Sequence, residues 1–440
     1  MVMENFVTEL FKTALEKGCE ACEAYYVDGD SFEAGVLDGE LDTYSVSCAS
    51  ALSLRVKYNG RDGYACTECI CPASELVERA MDNALCVENE DVRPMQTACE
   101  YVSVPENESK LFDMSEKERI QLAFDMEKRV NTGGARVMMC NVAVSEQSVH
   151  IRNTLGLCAD SIEKEALVYV NAAVSEGAEA RDGFAFKRGI EAHDINSCAD
   201  EAVSEAKAFL GAEPVESGEY KVIFKNDAAA SLLESFFGMF SADAAQKGLS
   251  LLASKKGEKI GSELITIIDD PFHEYSPRSF DAEGVPSVRT EVIESGVLKT
   301  LLYDLKTAYK DGVKSTSNAG RASVFSPTAI MPTNFYIKQG EKSLEMLLKE
   351  MGDGILITEV SGTHAGVNTV SGEFSLLAKG HLIKNGEKCK PIDRITVSGT
   401  FLQLLKSVEA IGDDLKFTIP QGGNVGSPSL LAEKIAIAGK

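Results

Sequence analysis

SGTHAGVNTVSGEFS, residues Ser361 to Ser375, is rich in Gly, Ser, Thr and Asn, yet strand-like apolar residues border it. Ile355, Leu356, Ile357 and Val360 lead in, and Phe374, Leu376 and Leu377 lead out. Gly362, Gly366 and Gly372 permit backbone angles that other residues resist. The polar side chains between them can bond back to the chain. This pattern is a shaped polar loop on a β framework, the kind of place where binding sites sit. It sets the expectation for the second half of the chain: β-rich, with few helices.

Working outward, the 440 residues are too many for one core and predict two or three domains. A hydrophobic content of 44% and a charged content of 25% are those of an ordinary soluble globular protein. No apolar run approaches the roughly 20 residues that span a membrane. The N-terminal MVMENFVTELFKTALEKG reads as an acidic amphipathic helix and not as a signal peptide. A cytoplasmic location follows as the default expectation. The net charge of −24 argues against direct binding to nucleic acid. Twelve cysteines include the CxxC pairs Cys19/Cys22 and Cys66/Cys69, the latter followed by Cys71. Their spacing does not suit a zinc ribbon, so small, partly buried thiols are expected there in preference to a metal site.

The first half mixes helices and strands. A helical stripe covers residues 4–17, and strands are expected at 23–28, 33–37, 41–47, 50–58 and 62–67. Asn59-Gly60 supplies a hairpin turn, and Pro72 opens a second helix ending near Val87. A polar, Pro-containing loop covers roughly 88–110. Ser115 starts a capping-box helix, S-E-K-E, that runs to about Val130. Four strands are expected between 136 and 187, and Asp194 caps a helix ending near Leu210. GAEPVESGE (211–219) is the best linker. We therefore expect an α+β fold, with an N-terminal mixed α/β domain over 1–214 and a β-rich domain over 215–440. In the latter, YKVIF is a buried strand, 227–240 a helix, 241–262 a polar and mobile stretch, and ELITIIDD a strand. Two hairpins share a two-residue turn ending in Gly, RTEVIE-SG-VLKTLLYD and SLLAKGHLIK-NG-EKCKPIDRITV. FLQLLKSVEAI closes as a helix before a strand near 431–438. No repeat of fixed period is evident.

Chemistry is sparse. The five histidines (150, 193, 273, 364 and 381) include no pair at helical metal spacing. His273-Glu274 is followed by Pro277, which would break a helix, so it reads as a loop. Asp269-Asp270 reads as a solvated strand end. Ser361 and Ser371 are candidate nucleophiles only if His364 stands by as base. In GVKSTSNAGRAS (312–323), Arg321 either clamps a carboxylate or bonds turn carbonyls.

Several stretches, taken in order, carry a resemblance. They are DAEGVPSVRTEVIESGVLKTLLYD (281–304), STSNAGRAS (315–323), SPTAIMPTN (326–334), GTHAGVNTVSGEFS (362–375), IGDDL (411–415) and GSPSLL (426–431). GRDGYACTE and LDGELDTYSVS add a looser match in the first half. The chain resembles the TldD/PmbA family, called peptide maturation proteins or modulators of DNA gyrase, and within it the PmbA (TldE) branch. The resemblance implies zinc-dependent proteolysis of peptides or unfolded chains. Its catalytic TldD-type members carry an HE…H helix and a later Cys. By that alignment Glu234, Ser235 and Met239 stand where His, Glu and His belong, and no Cys follows Cys389. We therefore expect a non-catalytic subunit that pairs with a TldD-like, zinc-holding partner, or forms a homodimer, and is inactive alone. No metal is expected in this chain. Loops 315–323 and 361–375 are expected to line a peptide cleft, with Asn318, Arg321, His364, Asn368 and Ser371 as substrate-binding residues. Two alternatives stay open. One is a stand-alone regulatory protein of the gyrase-modulator type. The other is a hydrolase using His364 with Ser361 or Ser371.

Overall fold

A computed structural model describes residues 2–86, 92–419 and 423–440. Met1, the last residue of the expected second helix (Val87) and residues 88–91 of the expected loop lie outside them.

The first half begins with α1 (Val2–Glu16), β1 (Ala21–Leu37), β2 (Glu40–Tyr58), β3 (Arg61–Thr67) and α2 (Ala73–Cys86). It continues with α3 (Glu116–Thr132), β4 (Arg136–Asn153), β5 (Cys158–Glu176), β6 (Glu179–Arg188) and α4 (Ile195–Ala208). The six strands form one antiparallel sheet in the order β3-β2-β1-β4-β5-β6. The pairs of short strands expected at 23–37 and 41–58 are single long strands, and three strands, not four, occupy 136–188. Polar residues such as Asp28 and Asp30 look like breaks in the sequence. In the sheet they keep the ladder, opposite Ser50 and Cys48. Ser115 makes the expected capping box with Glu118, and Asp194 accepts from the Ser197 N–H at the start of α4.

An internal repeat, absent from the expectation, explains this layout. The order helix–three strands–helix occurs twice, and the antiparallel pair β1–β4 lies between the two copies. In each copy the third strand carries Arg-Asp-Gly-aromatic-Ala at or near its start: Arg61 to Ala65 and Arg181 to Ala185. The glycine has the same task in both. A Cβ on Gly63 would stand 2.0 Å from the Ala80 carbonyl oxygen of α2, and one on Gly183 2.2 Å from that of Ala202 in α4. Only glycine lets each helix lie directly on its strand.

All four helices cover the same face of the sheet. Ala24, Tyr26, Leu52, Leu54 and Val56 pack with Leu10 of α1 and Leu76 of α2. Val142, Val144, Val168 and Val170 pack with Met126 of α3 and Ala202 of α4. The period of two in a strand sends the intervening residues to the opposite face.

The second half begins with β7 (Gly218–Phe224), α5 (Asn226–Ser235) and α6 (Ala242–Gln246), then β8 (Ile267–Asp269), β9 (Thr290–Glu294) and β10 (Val297–Leu298). Next come α7 (Leu305–Asp311), β11 (Ala319–Gly320), β12 (Ala329–Ile330), β13 (Asn334–Ile337), α8 (Leu344–Met351) and β14 (Gly354–Ser361). The chain closes with α9 (Thr363–Gly366), β15 (Val367–Asn368), β16 (Glu373–Lys384), β17 (Glu387–Thr400), α10 (Phe401–Ser407), β18 (Val408–Ile411), β19 (Lys416–Phe417), β20 (Asn424–Ser427) and β21 (Leu430–Ala438). Pairings β14–β7, β7–β21, β21–β17, β17–β16 and β16–β14 close a ring of five strands. A second sheet runs β10-β9-β8-β13-β20-β19. Alternate ring residues, among them Phe224, Ile357 and Val397, share a core with Phe236 and Phe401. Ile223, Leu356 and Leu431, from the intervening positions, pack under α8.

The fold is α+β, with a β-rich second half holding a few helices. Both expected hairpin turns are present: Ser295-Gly296 and Asn385-Gly386 have positive φ at both positions, as a type I′ turn requires. Other expectations need correction. The helix expected over 227–240 ends at Ser235 and tightens into a 3₁₀ turn over Phe237–Phe240, because Phe236 and Phe240 both turn into the core. The stretch 241–262 holds α6 and a series of turns. Only Ile267–Asp269 of ELITIIDD is strand, and residues 408–411 continue α10 as strand β18.

The close approach of strand to helix gives a direct test. Replacing Gly63 or Gly183 by Ala should cost about 1–3 kcal/mol, the usual penalty for overpacking. Gly238→Ala, where the added methyl meets nothing within 4 Å, should stay within about 0.5 kcal/mol. Urea denaturation midpoints of the three variants check this.

Candidate functional site

The sheet face without helices meets the second half of the chain. Val27, Ala51 and Val149 pack with Val324, and Ile151, Leu157 and Ala159 with Phe280. The Tyr101 hydroxyl donates to the Gly284 carbonyl at 2.8 Å. Arg188 at the end of β6 pairs with Glu165 at 2.9 Å, donates to Asn424 Oδ1 at 3.2 Å and lies over the Tyr275 ring.

Beside these contacts the two halves leave a cleft of about 700 Å³, within the range of small-ligand sites. Its floor is the helix-free face: Tyr25 and Val27 of β1, Gln147 and Val149 of β4, and Ser161 and Glu163 of β5. Register explains the set, since Val27 faces Val149 and Gln147 faces Glu163 across the ladders. The roof is loop 276–282, residues 319–324 and residues 331–333.

Behind the roof lies a shelf of buried carboxyls. Asp269 is not the solvated strand end expected from sequence. It is 1% exposed, and accepts from Asn318 Nδ2 and the Thr333 N–H, each at 2.8 Å. Asp281 accepts backbone N–H groups of Glu283, Val285 and Ala319 at 2.9, 3.0 and 3.1 Å. Glu283 accepts from the Leu305 N–H at 2.8 Å. Burial pushes all three carboxyls above their ordinary range, and the charges of Asp281 and Asp304 add to the effect on Glu283.

The expected site residues fall in two places. Arg321 lines the cleft, its guanidinium 4.7 Å from the centre of the Tyr25 ring and donating to the Ser326 carbonyl at 2.9 Å. Asn318, three residues earlier, is wholly buried and bonded to Asp269, to the Met331 carbonyl and to Thr316. His364, Asn368 and Ser371 do not line the cleft. His364 is exposed on α9, which packs against α5. Asn368 Oδ1 accepts the N–H groups of Val370 and Ser371, and Ser371 Oγ donates to Glu373 at 2.9 Å. Among the described residues no hydrogen bond joins His364 to Ser361 or Ser371. Arg278, Tyr25 and Glu163, which do line the cleft, escaped the reading of the sequence.

Comparison with known proteins gives this architecture a family. Residues 22–84 match the PmbA/TldA metallopeptidase domain 1, residues 109–210 its central domain, and residues 217–439 its C-terminal domain. The chain belongs to the PmbA/TldD metallopeptidase family. A Methanothermobacter thermautotrophicus metalloprotease is 28% identical over 88% of this chain and 87% of its own. A crystal structure from Thermotoga maritima, described as a candidate modulator of a DNA gyrase, has a TM-score of 0.89. It is 33% identical over 99% of this chain and 100% of its own. TldE from Thermococcus kodakarensis superposes with a TM-score of 0.91 at 25% identity, with coverage of 99% and 100%.

The family description implies a metal. At the three positions where the resemblance puts its helix residues, the side chains do not fit one. Met239 is wholly buried in the core, in the 3₁₀ turn after α5. Ser235 Oγ donates to the Ser231 carbonyl of its own helix at 2.7 Å. Glu234 is raised by burial, against a hydrogen bond with Thr418. Among the described residues no group of three or more His, Cys, Asp or Glu could hold a metal, and all twelve cysteines are free.

The buried shelf makes a pH prediction. Unfolded, Glu283 ionises near its ordinary value of about 4.3; folded, it holds its proton to higher pH. Its favourable contribution is therefore present in full below the unfolded value and is lost as pH rises through the folded one. Glu283→Gln can still accept from Leu305 and should gain stability over wild type, by more than about 1.4 kcal/mol, between roughly pH 5 and pH 8. Denaturation midpoints across that range check it.

Proposed function

We propose that this chain is the PmbA/TldE-like, non-catalytic subunit of a two-subunit metallopeptidase acting on peptides or unfolded chains. One observation carries the reading: Met239 is sealed in the core and Ser235 is bonded to its own helix, where a peptidase of this family would need a zinc ligand and a general base. Zinc would then reside in a TldD-like partner. This chain would help to enclose the substrate, and its isolated form would be a homodimer. Among the described residues no helix is long and apolar enough to cross a membrane, and a cytoplasmic location belongs to the same reading. So does a division of the chain into residues 1–214 and 215–440. Asn318 would act by shaping the roof loop, and Arg321 by meeting substrate. His364, Asn368 and Ser371 would meet substrate or partner on the surface near α5.

Reconstitution tests the reading. The pure chain should leave an unfolded peptide uncut. Adding a TldD-like subunit should give cleavage that a chelator abolishes. Zinc-dependent cleavage by the chain alone would overturn the proposal. Capture of a topoisomerase and no peptidase from the native cell would favour the stand-alone regulatory alternative.

A further inference from the structure

Two guanidinium groups in the cleft are left incompletely answered by the fold. Arg278 donates through Nη2 to the Ser317 carbonyl at 2.6 Å, and Arg321 through Nη1 to the Ser326 carbonyl at 2.9 Å. In each, Nε is shielded from water and has no hydrogen-bond partner. Arg188, in the same cleft, is by contrast paired with Glu165 at 2.9 Å. Among the described residues neither Arg278 nor Arg321 has a carboxylate in salt-bridge contact. The two Nε atoms are out of a ligand's reach, but Arg278 Nη1 and Arg321 Nη2 have no hydrogen-bond partner among the described residues and are not shielded, so an acceptor entering the cleft can meet both guanidinium groups there.

The acids around them do not fill that role. Asp269 and Asp281 act on Arg278 through space, but their oxygens are occupied by Asn318, Thr333 and the backbone of Glu283, Val285 and Ala319. Glu163 is exposed in the same cleft and is also influenced by Arg278. Arg321 is held in place by its stacking on Tyr25.

The rest of the lining selects among anions. Val27, Val149, Phe280 and Met331 give apolar surface beside the arginines. A net charge of −24 disfavours polyanions. A single carboxylate next to an apolar side chain fits, because a guanidinium fork matches a carboxylate in shape and charge. We propose that the cleft binds short apolar peptides by a carboxylate, with Arg278 and Arg321 as the clamp and Tyr25 as the platform that positions Arg321. The word peptide rests on the proposed function above; the carboxylate clamp rests on the cleft itself.

Calorimetry on the full-length chain tests it, with an apolar tripeptide as probe in two forms, free acid and C-terminal amide. A third probe, amidated but ending in Glu, separates a terminal carboxylate from a side-chain one. The free acid should bind, and amidation should weaken binding at least tenfold. Binding of the Glu-ended amide as tightly as the free acid would support the clamp and assign it to any carboxylate. Arg278→Met and Arg321→Met should each weaken the free acid at least tenfold. Arg321→Lys, which keeps charge and loses the fork, should lie between, provided its circular dichroism spectrum matches wild type. Equal binding of acid and amide, no binding of either, or full binding by the Arg278→Met/Arg321→Met double variant would overturn the clamp. Cleavage assays with the TldD-like subunit are read separately. Chain-dependent cleavage without carboxylate preference removes only the clamp. Carboxylate binding without any subunit association removes only the subunit role.

Discussion

The six-stranded sheet carries all four of its helices on one face, so the apolar residues of the other face need a different cover. Val27, Val149 and Ile151 find it in Val324 and Phe280 of the second half. This contact joins the two halves of the chain, and Arg188 reinforces it at the sheet's end. The cleft is a consequence. Where the roof loops stop short of the sheet, polar residues of the same register, Gln147, Ser161 and Glu163, face open space. The buried carboxyls behind the roof hold its loops through backbone N–H groups, at the expense of stability when pH rises.

Much of the fold was legible in the sequence because its signals are local. Ser295-Gly296 and Asn385-Gly386 declare their turns through residues that tolerate positive φ. Ser115 and Asp194 declare helix starts through side chains that meet N–H groups within three residues. Non-local effects were missed. The strand β1 runs through Asp28 and Asp30 because β2 and β4 hold it on both sides. The duplication was hidden because little but Arg-Asp-Gly-aromatic-Ala is shared by the two copies. Comparing Arg61–Ala65 with Arg181–Ala185 would have found it. The early end of α5 comes from where Phe236 and Phe240 pack, which no propensity reports.

The site was legible in part. Arg321 was singled out, and the structure shows the bond to a turn carbonyl that one of its two readings gave, with another nitrogen left without an acceptor. Asn318 stands in the same loop, but its amide is spent on Asp269 and Met331. Arg278 and Tyr25 gave no signal, since one lies between unremarkable loop residues and the other in a half-buried strand. They meet Arg321 only after segments far apart in the chain come together at the cleft. Loop 361–375 lies away from this cleft, on the surface around α5, where Gly372 is near Met239.

The central claim is that a member of a metallopeptidase family has kept the architecture while its own helix α5 offers no place for the metal. Elemental analysis of the pure, untagged chain, after dialysis against micromolar zinc, tests it most directly. The account predicts far less than one zinc per chain and no loss of retained metal on changing Glu234. One tightly held zinc per chain that is lost in Glu234→Ala would contradict it.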